Sequence, residues 1–138
     1  MRRLLPLALG VLIAGAAACS DGAEATAPLT CEYDQEVAVS VELTVRPRFT
    51  WTPGCGMASV LVVGGAGGWV IYSGADAADN PIGPGVVYGI APAGTLEPSP
   101  ATPLQSGEEY SVTVYRWIGE PGGPGSLFPQ GSANFQAP

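Results

Sequence analysis

The sequence predicts an all-β domain, an antiparallel β-sandwich of about seven strands, over residues 35–138. Three observations support this fold class. Apolar and polar residues alternate in short runs, which is the period of a strand with one buried face. Fourteen prolines and twenty glycines separate these runs, and they favour frequent turns over long helices. No helical period is present, so we expect two packed sheets.

The first half of the domain contains four predicted strands. Residues 36–45 carry an apolar side chain at every odd position, so one face of this strand points to the core. The alternation resumes at 48–51 and ends at the turn 52–55, where a proline and a glycine favour a reversal. The continuous apolar run 58–63 is typical of a central strand, and 69–72 follows it after a glycine-rich loop.

The second half contains the other three predicted strands, at 86–90, 109–118 and 132–136. The strand at 109–118 is the longest of them. The proline-rich stretch 91–103 and the glycine- and proline-rich stretch 119–131 are predicted to be connections.

The first eighteen residues have the composition of an export signal. Arg2 and Arg3 are positive, 4–14 is apolar, and 15–18 holds only small residues. The apolar stretch of about 15 residues is shorter than the roughly 20 needed to span a bilayer, which favours a cleaved signal over a membrane-spanning anchor.

The segment Ala16-Ala17-Ala18-Cys19 resembles the lipobox of bacterial lipoproteins, with alanine at position 16 where that family more often has leucine. The resemblance implies that Cys19 takes a diacylglycerol thioether and becomes the acylated N-terminus. Several acyl chains give a lasting anchor, whereas a single one binds a membrane only marginally. Ser20 stands at the position where Gram-negative lipoproteins that are retained at the inner membrane have an aspartate. The resemblance therefore implies an outer membrane lipoprotein, on the periplasmic or the surface face of that membrane. Ordinary cleavage after Ala18 is the alternative, and it gives a secreted protein.

These features divide the chain into a lipoprotein signal peptide (1–18), a lipidated cysteine with a flexible tether (19–34) and the sandwich (35–138). With Cys19 assigned to the lipid, Cys31 and Cys55 remain, and we expect them to form a disulfide in an oxidising compartment. A ring of about 25 residues gives a stabilisation of roughly 3 kcal/mol in the chain-entropy estimate. Two separate buried thiols are the alternative.

Two segments of the domain resemble fibronectin type III domains. Phe49-Thr50-Trp51-Thr52-Pro53 resembles the W-x-P segment of their second strand, and residues 104–114 resemble the corner before their sixth strand. The resemblance implies that Trp51 is the core tryptophan and that Leu104 precedes a "tyrosine corner" at Tyr110, whose hydroxyl bonds to upstream main chain. An immunoglobulin-like sandwich of another strand order remains open, because a disulfide is not typical of fibronectin type III domains.

The composition argues against catalytic and metal sites. The chain has no histidine, so it contains neither a Ser-His-Asp nor a Cys-His nucleophile. Two cysteines alone do not complete a metal site, and Asp76, Asp79 and Asn80 do not follow the calcium-loop pattern; they are expected to be turn residues. We predict no metal and no cofactor.

The carboxylates are also poorly placed for acid–base catalysis. Glu108 and Glu109 are adjacent, so in a strand they point to opposite faces, and the other candidates fall in separate loops. We therefore predict that the protein is not an enzyme. Without Arg2 and Arg3, three arginines face twelve acids, a net charge of −9, which disfavours nucleic-acid binding.

Aromatic residues provide the remaining candidate site. Tyr115 and Trp117 are expected on the outward face of the last long strand, and Trp69 or Tyr72 joins them if the preceding hairpin lies in the same sheet. Exposed aromatic side chains on a sandwich bind sugars or partner proteins, because rigid rings give contact area at low entropic cost. In the alternative, the loop containing residues 127–129 folds over these rings.

The expected function is therefore that of a non-catalytic, lipid-anchored binding or structural module of the cell envelope. Its partners are the membrane, through the lipid, and an envelope protein or a glycan. A carbohydrate-binding accessory protein that uses the aromatic face is the alternative, and a partner bound through the glycine-rich loops is a third.

Overall fold

The computed structural model describes residues 28–138, which form two antiparallel sheets and no helix. The signal segment, Cys19 and its neighbours up to residue 27 lie outside the described residues. In the part from residue 28 onwards, no helix is long and apolar enough to cross a membrane.

The smaller sheet has three strands in the order β1-β2-β5, and its members are β1 (Ala38–Glu42), β2 (Arg48–Thr52) and β5 (Val86–Val87). The larger sheet has five strands in the order β6-β4-β3-β7-β8. Its members are β3 (Ser59–Gly64), β4 (Gly67–Tyr72), β6 (Leu96–Ser99), β7 (Glu109–Gly119) and β8 (Gly125–Gln136). The predicted all-β class and antiparallel sandwich are confirmed.

The structure has eight strands among its described residues, where seven were predicted. The additional strand, β6, lies in the proline-rich stretch, and all four of its residues are exposed. It shows no alternation because it pairs at the sheet edge with β4 and buries neither face. β8 also begins earlier than predicted, at Gly125, because its first half continues the β7–β8 hairpin beyond the core.

The core lies between the inward faces of the two sheets. Val60 and Val62 of β3 and Val112 and Val114 of β7 are fully buried, and burial of such side chains contributes roughly 1.5–3 kcal/mol each. From the smaller sheet, Phe49 reaches across to Phe135 of β8, with ring centroids 5.7 Å apart. Alternation at β3 and β7 therefore sets which side chains face the core.

The disulfide between Cys31 and Cys55 is present, as predicted, with Cα atoms 5.5 Å apart. It joins the segment before β1 to the end of β2, where Leu29 also forms a parallel bridge with Cys55. The backbone oxygens of Glu32 and Tyr33 accept hydrogen bonds from the side chains of β7 and β8. Residues 29–33 thus pack against the sandwich, although the sequence analysis assigned them to the tether.

Candidate functional site

The outward face of the larger sheet brings two predicted tyrosines into one row. Tyr72 on β4 and Tyr115 on β7 each lie opposite Ser59 on the central strand β3. Side chains in one row of a sheet project from the same face, with neighbouring Cβ atoms about 4.5–5.5 Å apart. Ser59 is only 2% exposed between the two larger side chains, whereas both tyrosines are partly exposed. The row therefore consists of two partly exposed tyrosines with a buried serine between them.

The neighbouring rows in the region where β3 pairs with β4 and β7 are uncharged. In the next row, Leu61 lies between Val70 and Thr113, and beyond it Val63 is half exposed. Where β3 pairs with β4 and β7, the outward positions contain no charged residue: Ser59, Leu61, Val63, Gly68, Val70, Tyr72, Ser111, Thr113 and Tyr115. Glu109, the first residue of β7, lies beyond this paired region and is the charged residue at the end of the same face. In a chain with twelve acidic residues, an uncharged area at the centre of this face favours neutral ligands.

Trp117 lies two residues beyond Tyr115 on β7, past the end of β3, and is partly buried. Its indole N–H donates to the backbone oxygen of Glu120 at 2.9 Å. A Cβ on Gly125 would lie 2.6 Å from the indole ring, so only glycine leaves room for the ring across the hairpin. The ring is fixed by these contacts.

The backbone of Trp117 is also held from the side that β3 leaves open. Its N–H donates to the Asn80 side-chain oxygen at 2.7 Å, and its carbonyl accepts from the Asn80 amide at 2.9 Å. Sequence analysis considered Asn80 only as a turn residue, because nothing in the sequence places it next to β7.

Trp69 does not belong to this face, and the prediction that placed it there is wrong. It lies opposite Val62, points inward and is fully buried. The reason is the strand period: Trp69 and Tyr72 are three residues apart, so they occupy opposite faces of β4. The Trp69 ring packs edge-on against Tyr88, with centroids 5.5 Å apart, and its N–H donates to the Glu97 carboxylate on β6.

The alternative interpretation, in which residues 127–129 fold over the aromatic side chains, is wrong. Residues 127–129 belong to β8, where Leu127 lies opposite Trp117 and Pro129 opposite Tyr115. They therefore extend the sheet beside these residues, and the Phe128 side chain is 48% exposed.

The other predicted residues take part in packing. Trp51 is buried, and its indole N–H donates to the backbone oxygen of Cys55 at 2.7 Å. The Tyr110 hydroxyl accepts a hydrogen bond from the backbone N–H of Gln105 at 3.1 Å, and its ring stacks on Phe135. Leu104 is partly buried against the same core.

The titratable groups form no reactive constellation in the described part. Residues 28–138 contain no group of three or more His, Cys, Asp or Glu side chains placed to hold a metal. Burial raises the pKa of Tyr88, whose hydroxyl donates to the backbone oxygen of Thr102 at 2.7 Å. Tyr88 packs against Trp69 in the core, so the shift of its pKa is a consequence of burial and does not indicate a reactive site.

What the outward face offers is contact: two phenol rings, several hydroxyls and aliphatic side chains on rigid strands. Sequence reasoning found the tyrosines but missed Ser59, because the pairing register that places it between them is a long-range feature. No family model, curated protein or solved structure matches the chain.

Proposed function

We propose that the protein is a non-catalytic binding module of the cell envelope, anchored by a lipid on Cys19. The observation that carries this proposal is the Cys31–Cys55 disulfide. It accounts for two of the three cysteines and indicates an oxidising compartment, so Cys19 is the single cysteine left, directly after a small-residue cleavage region. A lone cysteine at that position matches the site of lipid attachment in bacterial lipoproteins.

The position of Pro28 on the sandwich and the short distance in sequence from Cys19 also fit an anchored domain. Pro28 lies beside Gly56 and Gly83, and the disulfide follows three residues later. The nine residues 20–28 span at most about 30 Å when extended, so the sandwich stays close to the membrane that carries the lipid. The same membrane is proposed to be the outer one, on the basis of Ser20.

The intact mass of the mature protein tests the anchor. We expect a protein that begins at Cys19 and carries a diacylglycerol thioether and an N-acyl chain, and that partitions with membranes. The Cys19→Ser variant should lose the lipid mass, while Ser20→Ala, the matched control, keeps it. A mature N-terminus elsewhere, or an unmodified Cys19, would contradict the proposal.

We further propose that the sandwich is fibronectin type III-like. The hydrogen bond from the Gln105 N–H to the Tyr110 hydroxyl supports this, because the tyrosine corner is defined by a bond to main chain a few residues upstream. The buried Trp51 at the end of β2 supports it as well. Strand β6 and the disulfide are additions to that plan.

A non-catalytic role is supported by the dispersed acids. The chain has no histidine, and the adjacent pair, Glu108 just before β7 and Glu109 at its first position, is exposed. Turnover of any envelope substrate that is lost on substitution of a single carboxylate would contradict this part of the proposal.

The second candidate function is carbohydrate binding, and the Tyr72–Ser59–Tyr115 row favours it. Aromatic rings present contact area to the apolar faces of sugar rings, and neighbouring hydroxyls supply hydrogen bonds. The absence of charge where β3 pairs with β4 and β7 suits a neutral glycan better than an ionised one. An envelope protein with a neutral, partly apolar surface is the competing partner.

A glycan array with the full chain separates these two partners. Binding to neutral glycans should fall at least about tenfold in Tyr72→Ala and in Tyr115→Ala, as expected for removing an aromatic anchor. Tyr33→Ala is the matched control, because Tyr33 is 69% exposed but lies in the segment before β1, away from the sheet face. Loss of binding in Tyr33→Ala as well, or no glycan bound at all, would contradict carbohydrate recognition.

A further inference from the structure

A second concave site lies on the open side of the sandwich, away from the tyrosine face. It is a groove of about 510 Å³, within the range of small-molecule sites. One wall is the segment 79–86, which leads into β5, and the other is the turn 92–95, which leads into β6. Since β5 and β6 are edge strands of their respective sheets, the groove lies where the sandwich is open.

A buried hydroxyl without a partner lines this groove. Ser73 directly follows β4 and is more than nine-tenths buried, with 8% of its surface exposed. Its backbone N–H donates to the oxygen of Ala58, but its side-chain Oγ has no hydrogen-bond partner among the residues that the structure describes. Leaving a buried hydroxyl without a hydrogen bond is unfavourable, so a ligand that donates a hydrogen bond to it removes this cost.

Apart from Ser73, two polar side chains line the groove, Asp79 and Thr95, and the Thr95 hydroxyl donates to the backbone oxygen of Pro92 at 2.7 Å. Ile82, Pro84 and Val86 supply aliphatic surface from one wall, and Pro92 supplies it from the other. Asp79 is the charged side chain of the groove. The site therefore combines an aliphatic surface with a carboxylate and with the Ser73 hydroxyl, which, unlike that of Thr95, has no partner among the described residues.

The charge around the groove favours a cation. No arginine lines it, and the described part of the chain contains no lysine or histidine. The guanidinium of Arg48 lies 4.0 Å from the position of a Cβ on Gly85, but it faces the Glu42 carboxylate at 3.9 Å on the exposed side of the smaller sheet. Asp79 thus faces the groove without a neutralising partner in its lining.

We infer that this groove binds an alkylammonium group, from a small aliphatic amine or from the side chain of a lysine. The ammonium donates hydrogen bonds to the Asp79 carboxylate and to Oγ of Ser73, and the alkyl chain packs against Ile82, Pro84 and Val86. This site goes beyond the proposed function: it depends neither on the lipid at Cys19 nor on the Tyr72–Tyr115 face.

Cadaverine is the first probe, titrated into the full mature chain and followed by amide NMR shifts. We expect saturable shifts at Gly83 and Gly85, whose backbones line the groove, and no comparable shifts from pentanediol, which has the same length without charge. Equal binding of the diol, or no saturable shift in the millimolar range, would overturn the inference.

Substitutions make the test specific. Asp79→Asn should weaken cadaverine binding about tenfold, and Ser73→Ala several-fold, as expected for a charge-assisted and a neutral hydrogen bond. Asp76→Asn is the matched control, because it removes the same charge from the same loop at a residue that does not line the groove. If Asp76→Asn weakens binding as much as Asp79→Asn, the attraction is a general effect of net charge and the site is refuted.

A blocked lysine, acetylated at its α-amine and amidated at its carboxyl end, distinguishes the two sources. Tighter binding of blocked lysine than of cadaverine assigns the groove to a partner protein's side chain, and the reverse order assigns it to free amines. Asp79 is exposed, so its asparagine variant is expected to fold, and a circular dichroism melting curve checks this for both variants.

Discussion

The two faces of the larger sheet differ in what their side chains do. On the inner face, Val62, Trp69 and Val112 are fully buried between the sheets. On the outer face of the same strands, Leu61, Val70 and Thr113 form a partly exposed, uncharged row. The alternation of a strand assigns stability to one face and leaves the other available for recognition. Substitutions on the two faces should therefore affect different measurements.

The largest expected effect compares the two tryptophans. Trp69→Ala removes a fully buried ring and leaves the Glu97 carboxylate without its donor, so we expect a loss of about 3–5 kcal/mol in the free energy of unfolding. Trp117→Ala, the matched substitution on the outer side, should cost less than half of that. Urea denaturation of both variants is the measurement, and equal losses would refute the division between the faces.

The next largest effect is expected from removing the disulfide, which tests whether packing of the inner face keeps the sandwich folded without this covalent link. The double variant Cys31→Ser, Cys55→Ser opens a ring with a sequence separation of 24, and we expect a loss of about 3 kcal/mol. The tyrosine face is carried by β3, β4 and β7, so the glycan binding proposed for it should persist below the new denaturation midpoint. Loss of binding at temperatures where circular dichroism still reports folded protein would contradict this separation.

A smaller effect appears at alkaline pH. Burial raises the pKa of Tyr88 in the folded state above its unfolded value, so its contribution to stability is fully present below the unfolded pKa, about 10. That contribution is lost as the pH rises through the unfolded and then the folded pKa. The stability of Tyr88→Phe should therefore fall less steeply above about pH 10 than that of the parent chain. If the free energy of unfolding of the two proteins falls equally steeply with pH above about 10, the raised pKa of Tyr88 is contradicted.

The smallest effect on stability belongs to the outer face. Tyr115→Ala removes a partly exposed ring, and we expect a change of about 1 kcal/mol or less. Its main consequence should be on binding, in the glycan experiment described above. A destabilisation as large as that of Trp69→Ala would show that the outer tyrosines are part of the core.

Sequence reasoning was most successful where burial alternates along a strand. It placed β3 and β7 correctly because their core-facing valines follow the strand period. It missed β6 and the first half of β8, where the residues are exposed and pairing alone defines the strand. The disulfide was predictable from cysteine count and compartment, without any structural information.

The candidate sites were less predictable, because they depend on which distant residues become neighbours. Tyr72 and Tyr115 are separated by 43 residues in the chain, and Ser59 joins them only through the register of two strand pairs. The strand period alone would have excluded Trp69 from the face, since it lies an odd number of residues from Tyr72. The groove beside Ser73 has no sequence signal at all, because its walls come from two connections.

Asn80 has a consequence for the part of β7 that extends past the end of β3. A carboxamide carries the same donor and acceptor as a peptide group, so its side chain occupies the ladder position that β3 leaves open at Trp117. An unoccupied position of this kind is a template for pairing with a strand of another chain. Because Asn80 occupies the backbone N–H and carbonyl of Trp117, these groups of β7 are not free to pair with a strand of another molecule.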